Sequence, residues 1–594
     1  MTTPAKKNKI PNREKLPRNK PRRRLPYFLM IVSFVGAGFL IMTYIMNAGD
    51  RPLVISPKTT SFVQPLKNGG QEVDFFAATK ALYEPPILPE QNGFTSLLAV
   101  AGRTILSDRT PDWFWNALCE QLKLDPRQEP AGPFTPLHKY LETVFPNHAE
   151  YDENDYPPIQ KRRIIYEEIT TAPWSPSDRP YMADWLANNQ LVLDTLVESS
   201  RSNAFFCPRL WRTDKELPET QVGNTAVTTM RLIDALIGRA MSRLSSDDTK
   251  EKEAALEDII AACRFGRLMT NSVWMSDRQL RPALEIQPVT EPPAKLVPVL
   301  RHAKFDQEQL KRLAMQLDRL PLESYALHDI FMVGRFEALD VVSGLSCGRF
   351  PRTHPLLVEL LPAADKGDGI DWSIVAQSVS RFFEESLPIL GEKDPAKRET
   401  MPEAAGVFER SKKRQSGWHI PTRRSRSEQI GDLLAIRAAT LPKTLCLFES
   451  RRRAWVDLLR LAVALERYRL ENGGYPATLE PLEPDFLATL PTDPFTAGKP
   501  YVYRLETAPN VPDESGAAKG SGYLLYSVSA DLKDDGGYTR EELMSQEHVG
   551  DLRVRMPTDS NFYKMIVQIG IDDKKADAKT TSDETAEPAA SSAP

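Results

Sequence analysis

Residues 464–476 read ALERYRLENGGYP, and residues 522–537 read GYLLYSVSADLKDDGG. The first stretch closes a helix. Leu458, Leu461, Ala462, Leu465, Tyr468 and Arg469 recur at helical spacing from about Phe448 to Glu471, the period of one α-helical face. Asn472-Gly473-Gly474 ends it, because glycine takes the left-handed backbone a helix terminus needs. Tyr475-Pro476 leads into a short amphipathic turn, Leu479 to Leu487, and Pro491-Thr492-Asp493-Pro494-Phe495 makes a rigid turn. Two strands follow, 500–504 and 522–528, both rich in aromatic and β-branched residues. Asp531–Gly537 is an acidic loop, and DLRVRM (551–556) supplies a third strand. Residues 446–557 therefore read as an α+β unit, one long helix packed on a small antiparallel sheet.

Upstream the chain reads as mostly helical and irregular. Pro111-Asp112-Trp113-Phe114-Trp115 opens one helix with proline and acid in its first turn. Residues 225–244 and 250–270 predict an antiparallel helix hairpin joined by Ser245-Ser246-Asp247-Asp248. Asp306, with Gln309 three residues on, is a capping-box start, and Leu310, Leu313, Met315 and Leu317 form the stripe that follows. Helices are also expected at 326–343 and 374–387. No 34-residue period is present, so a tetratricopeptide array is not expected. The expected organisation is a basic tail (1–24), a transmembrane helix (25–47), a proline-rich spacer (48–105) and a helical region in two parts (106–300 and 301–445). The α+β unit (446–557) and a disordered tail (573–594) complete it.

The averages are ordinary: 594 residues, 41% hydrophobic, 26% charged, net charge −4. They exclude a polytopic membrane protein, a collagen and a wholly disordered chain. Proline is high, at 49 against 30 glycines. Residues 1–24 carry ten Lys or Arg against one acid, and an uncharged apolar run spans Tyr27 to Met46. Twenty residues at about 1.5 Å each match the roughly 30 Å hydrocarbon layer. A cleaved signal would need a shorter apolar core and a better cleavage site than Asn47-Ala48-Gly49. The expectation is thus a retained single-pass anchor in the cytoplasmic (inner) membrane. Arg22, Arg23 and Arg24 place its N-terminus in the cytoplasm and the bulk of the chain outside.

Catalytic motifs are sparse. Gly344-Leu345-Ser346-Cys347-Gly348 matches G-x-S-x-G, but a nucleophile elbow follows a strand and these residues follow a helical pattern. A helix end with small residues at a close contact is the expected role. The seven histidines are scattered, and no HExxH, Walker A or dinucleotide fingerprint occurs. The five cysteines have no CxxC spacing; most are expected to be small buried hydrophobes. Arg410, Lys412, Lys413, Arg414, Arg423, Arg424 and Arg426 form a basic run, expected to be a solvated loop or a contact for an anion. Nucleic acid is not an expected partner, because the chain beyond residue 24 is acidic.

The words ALERYRLENGGYP, LPTDPF (490–495), YVYR (501–504) and GYLLYSVSADLKDDGG resemble the soluble domain of type II secretion major pseudopilins, which are type IV pilin-like. The resemblance covers about a fifth of the chain. It implies calcium in the loop after the last long strand, with Ser529, Asp531, Asp534 and Asp535 as the matching residues. Serine and leucine stand at 529 and 532 where the family has glycine. The functional expectation is a non-enzymatic, membrane-anchored, extracytoplasmic protein with a structural or interaction role and a protein partner in the bacterial envelope. A membrane-anchored hydrolase without a visible motif and a secretion- or pilus-like assembly component are the alternatives.

Overall fold

A computed structural model describes residues 30, 32–39, 49–83, 87–106, 110–144, 169–205, 207–208, 210, 225–270, 292–319, 327–350, 369–401, 422–438, 442–507, 521–538 and 550–556. A two-stranded hairpin, β1 (Leu66–Lys67) and β2 (Glu72–Val73), comes first. Then come α1 (Phe75–Tyr83), α2 (Gly93–Ala101), α3 (Asp112–Leu122), α4 (Leu137–Val144), α5 (Pro180–Asn188) and α6 (Gln190–Ser199). The middle holds α7 (Thr225–Leu244), α8 (Thr249–Thr270), α9 (Pro292–Ala303), α10 (Gln307–Asp318) and α11 (Leu327–Ser346). The last helices are α12 (Trp372–Gly391), α13 (Pro395–Thr400), α14 (Arg423–Ala438) and α15 (Pro442–Asn472). Strands β3 (Val502–Thr507), β4 (Ser521–Ser527) and β5 (Leu552–Met556) form an antiparallel sheet in the order β3-β4-β5. Val502 pairs with Tyr526, and Tyr523 with Met556.

The expected N-terminal transmembrane helix is corrected. Among the described residues no helix is long and apolar enough to cross a membrane. Of residues 25–47, only 30 and 32–39 are among the described ones. The inner-membrane placement, the signal-anchor and the single-pass topology with its extracytoplasmic bulk depended on that helix and are withdrawn with it. The tail 573–594 and the basic residues 410–414 lie outside the described residues.

Two cores organise the molecule, and they cut across sequence order. The first joins α2, α3, α5 and α6 to α7–α10, and then to α15 and the sheet, with Trp185, Leu193, Leu236, Phe265 and Leu313 at its centre. The second gathers β2, α1, α11, α12 and α14 around Phe331, Trp372, Phe382 and Phe383. Leu445 near the start of α15 belongs to the second core, and Ala454 to Leu465 belong to the first. One continuous 31-residue helix thus serves both. Residues 48–105, read as a spacer, contribute Val73, Phe75, Phe94, Leu97 and Leu98 to these cores.

Local sequence explains many of the element boundaries. The Asp306/Gln309 capping box forms at α10, each side chain bonding the other residue's backbone N–H. Met315, placed on the apolar stripe of α10, points outward instead, two positions from both Leu313 and Leu317 and therefore off their face. The α7–α8 hairpin is locked by a buried ion cluster. Arg239 Nε and Nη2 reach the two Asp258 oxygens at 3.1 and 2.6 Å, and Arg243 Nη1 adds a 2.6 Å contact. Gly431 in α14 lies so close to α12 that a Cβ there would sit 2.5 Å from the Val375 carbonyl oxygen.

Candidate functional site

The G-x-S-x-G residues lie at the end of α11. Ser346 Oγ accepts a hydrogen bond from the Leu53 backbone N–H at 2.8 Å. A Cβ on Gly344 would overlap the Phe350 ring at 2.4 Å. The serine therefore ties down the segment that enters the fold, which bridges in parallel from Arg51 to Asp371. Ser346 closes a helix and does not follow directly on a strand, so the nucleophile-elbow geometry is absent here. Around it a charged cluster pins the β1–β2 hairpin to α11. Lys67 Nζ lies 3.3 Å from Asp340, Arg349 Nη2 lies 3.0 Å from the same carboxylate, and Arg349 Nε lies 3.6 Å from Glu72. Cys347 Sγ donates to Glu72. Burial first, and then that hydrogen bond, push the thiol pKa up, which disfavours the thiolate that nucleophilic chemistry needs. No disulfide joins the five cysteines, all of which are described; Cys119, Cys263 and Cys446 are buried, as small hydrophobes are.

The basic residues that fall within α14 are not solvated as a group. Arg423 and Arg426 are buried, and Arg426 Nη2 donates to the Gly369 carbonyl at 3.0 Å. Arg424 faces outward and pairs with Glu428 one turn on.

The acidic loop between β4 and β5 holds the sequence-matched residues. Ser529 and Leu532 both take left-handed backbone, φ 58° and 59°, the positions where glycine would be unstrained. Ser529 is buried, and its N–H donates to Ser527 Oγ. Asp531 Oδ1 accepts from the Lys533 N–H at 3.2 Å. Asp534 Oδ1 accepts from the Tyr526 hydroxyl at 2.8 Å and the Gly536 N–H at 2.9 Å. These residues hold the turn itself. Asp535 differs: its Oδ2 is buried with no hydrogen-bond partner.

A further carboxylate, missed in the sequence reading, joins the loop from the start of β5. Asp551 is 3% exposed. Its Oδ2 accepts from the Gly537 N–H at 2.8 Å, its own N–H donates to the Tyr538 carbonyl at 2.8 Å, and its Oδ1 has no partner. Burial pushes its pKa up to about 7, against the Gly537 bond and helped by the charges of Asp535, Asp534 and Asp531. The signal available in sequence was an acid between Gly550 and the apolar alternation of Leu552, Val554 and Met556. Among the described residues no three or more His, Cys, Asp or Glu side chains group to hold a metal ion.

The sheet packs on α15 through a tyrosine cluster. Tyr475 hydroxyl donates to Glu466 Oε1 at 2.5 Å, and the Tyr475 and Tyr523 rings meet edge to face at 4.9 Å. Asp493 in the PTDPF turn accepts from the Phe495 and Val528 N–H groups, which binds that turn to the end of β4.

No family model, no curated protein and no solved structure matches this chain.

Proposed function

We propose that this chain is a non-enzymatic structural or interaction protein: a helical body that presents a pseudopilin-like α+β unit to a protein partner. The observation that carries the reading is α15. It is one unbroken helix whose start lies in one core and whose second half, with the sheet, lies in the other. A helix shared in this way fixes the sheet's orientation relative to the helical body, the property a presenting scaffold needs. The polar side chains that would carry chemistry support the same reading. Ser346 holds Leu53, Cys347 holds Glu72, and Asp493 holds the turn before β3.

Photo-crosslinking from within cells tests this. A photoreactive residue placed at Leu505 or Tyr538, both exposed on the sheet unit, is expected to trap one discrete protein. The same probe at Met315, on the helical body, is expected to trap it weakly or not at all. Ester or peptide turnover by the purified full chain, abolished by substituting a described side chain, would replace this reading with the hydrolase one.

A further inference from the structure

We propose that the outer edge of β3 is a self-association surface, where Val502–Thr507 pairs antiparallel with the same strand of a second copy of this chain, about a two-fold axis through Leu505. The proposal goes beyond the scaffold reading and does not rest on it.

Strand β3 pairs with β4 on one side, and among the described residues no strand lies on the other. The turn before it closes only the approach: Thr492 bridges Pro500, and Asp493 N–H donates to the Lys499 carbonyl at 2.8 Å. Beyond that point the strand carries Arg504, with a side chain 55% exposed, and Leu505, 40% exposed. A strand edge presents a row of backbone N–H and C=O groups, a template for a further strand. The open leucine adds apolar surface that pairing would bury.

The side chains of β3 say which strand fits. Directly opposed residues of an antiparallel pair share a face and interact. An axis through Leu505 sets that leucine against its own copy. It also sets Arg504 against the partner subunit's Glu506, twice over by symmetry. Within one chain these two residues already share a face. Arg504 Nε lies 3.8 Å from one Glu506 oxygen, and Arg555 Nε lies 2.7 Å from the other. A second copy therefore extends a ladder of alternating charge. Moving the axis to 504 would oppose arginine to arginine, and moving it to 506 would oppose glutamate to glutamate. The other outer strand, β5, does not fit itself in this way. Axes through 553, 554 or 555 all set arginine against arginine, and like charges directly opposite are destabilising. The charge pattern thus selects β3 over β5, and one register over its neighbours. A pairing of six residues makes a small interface beside the roughly 1,200–2,000 Å² of a standard one, so the dimer is concentration-dependent.

The test is sedimentation velocity of the purified full chain from about 1 to 200 µM, the range of weak association. The wild type is expected to pass from monomer to dimer. Arg504→Glu would face glutamate with glutamate, and Glu506→Arg would face arginine with arginine. Each is expected to weaken dimerisation at least about tenfold, because two pairs are inverted at once. An equimolar mixture of the two variants opposes glutamate to arginine at both positions. It is expected to form a mixed dimer within about threefold of the wild-type affinity. Glu506→Arg also loses the Arg555 contact; rescue in the mixture separates a broken interface from a disturbed fold, and amide exchange over β3–β5 reports the fold directly. Leu505→Cys is expected to crosslink to its own copy under mild oxidation, since opposed Cα atoms lie about 4.5–5.5 Å apart, inside the disulfide range. The wild type, with its exposed Cys347, is the control. A wild-type chain that stays monomeric at every concentration would overturn the proposal and leave Arg504 and Glu506 as guards against edge pairing. So would a dimer that survives both charge reversals, or variants whose mixture stays monomeric. No other protein is present in these experiments, so their outcome is separate from crosslinking in cells, where the Tyr538 probe, off β3, reads the scaffold's partner.

Discussion

Replacing Asp551 by Asn should stabilise the protein, and by more at pH 8 than at pH 5. Burial and three neighbouring carboxylates raise the folded-state pKa of Asp551 to about 7, against about 3.9 in an unfolded chain. A carboxyl whose folded pKa is raised contributes stability that is fully present below the unfolded value. That contribution is lost as pH rises through the folded one. Three units at about 1.4 kcal/mol each give about 4 kcal/mol across the whole range. Roughly two-thirds of that falls between pH 5 and 8, and water at the loop rim screens part of it, which leaves about 2 kcal/mol. Asparagine keeps an oxygen for the Gly537 N–H and never ionises, so the variant does not lose this amount. Asp457 and Asp493 are also raised, chiefly by burial, but they are common to both proteins and cancel in the difference. The assay is native-state amide exchange over β4 and β5 in EDTA at the two pH values, corrected for intrinsic exchange rates. It reports the local unit rather than a chain of two cores for which a single unfolding transition is not assured. A wild-type-to-variant difference that is the same at pH 5 and pH 8, or that grows more unfavourable to the variant as pH rises, would refute the reasoning.

Asp258→Ala leaves Arg239 and Arg243 facing a buried gap in the α7–α8 hairpin. The expected loss is about 3–5 kcal/mol, read as a lowered denaturation midpoint. Asp258→Ala combined with Arg239→Met should recover part of it. Gly431→Ala forces a methyl against the Val375 carbonyl and should cost about 1–3 kcal/mol as α12 and α14 are pushed apart, measurable by thermal melting. Ser346→Ala should cost about 1 kcal/mol and speed exchange of the Leu53 amide that it holds. Any hydrolytic turnover of the preparation should be unaffected by it; a loss of turnover would make the serine a nucleophile.

The C-terminal unit was legible because its information is local. Helical periodicity, Asn472-Gly473-Gly474 and two aromatic strand runs each specify their own element, and α15 and β3–β5 lie where those signals point. The Asp306 capping box was legible for the same reason. The cross-chain relations were not. The 48–105 segment is proline-rich, yet Phe75 and Phe94 enter different cores, a choice made by residues hundreds of positions away. Arg423 and Arg426 belong to a basic run, and only the approach of the Gly369 carbonyl makes Arg426 an internal strut. Asp551 escaped notice because its meaning depends on a loop that returns to it across the sheet. The apolar run at 27–46 predicted a spanning helix from composition and length, and no described helix is both long and apolar enough to cross a membrane.

The shared helix also sets a rotational phase. Each residue of an α-helix turns about 100° and advances about 1.5 Å. Inserting or deleting one residue between Leu445 and Ala454 would therefore rotate the sheet-bearing face of α15 by about 100° relative to the other core. The faces realign only after about seven, eleven or eighteen residues. A change of length through Arg451, Arg452 and Arg453 would therefore put the two cores out of register, and α15 works as a keyed shaft between two blocks.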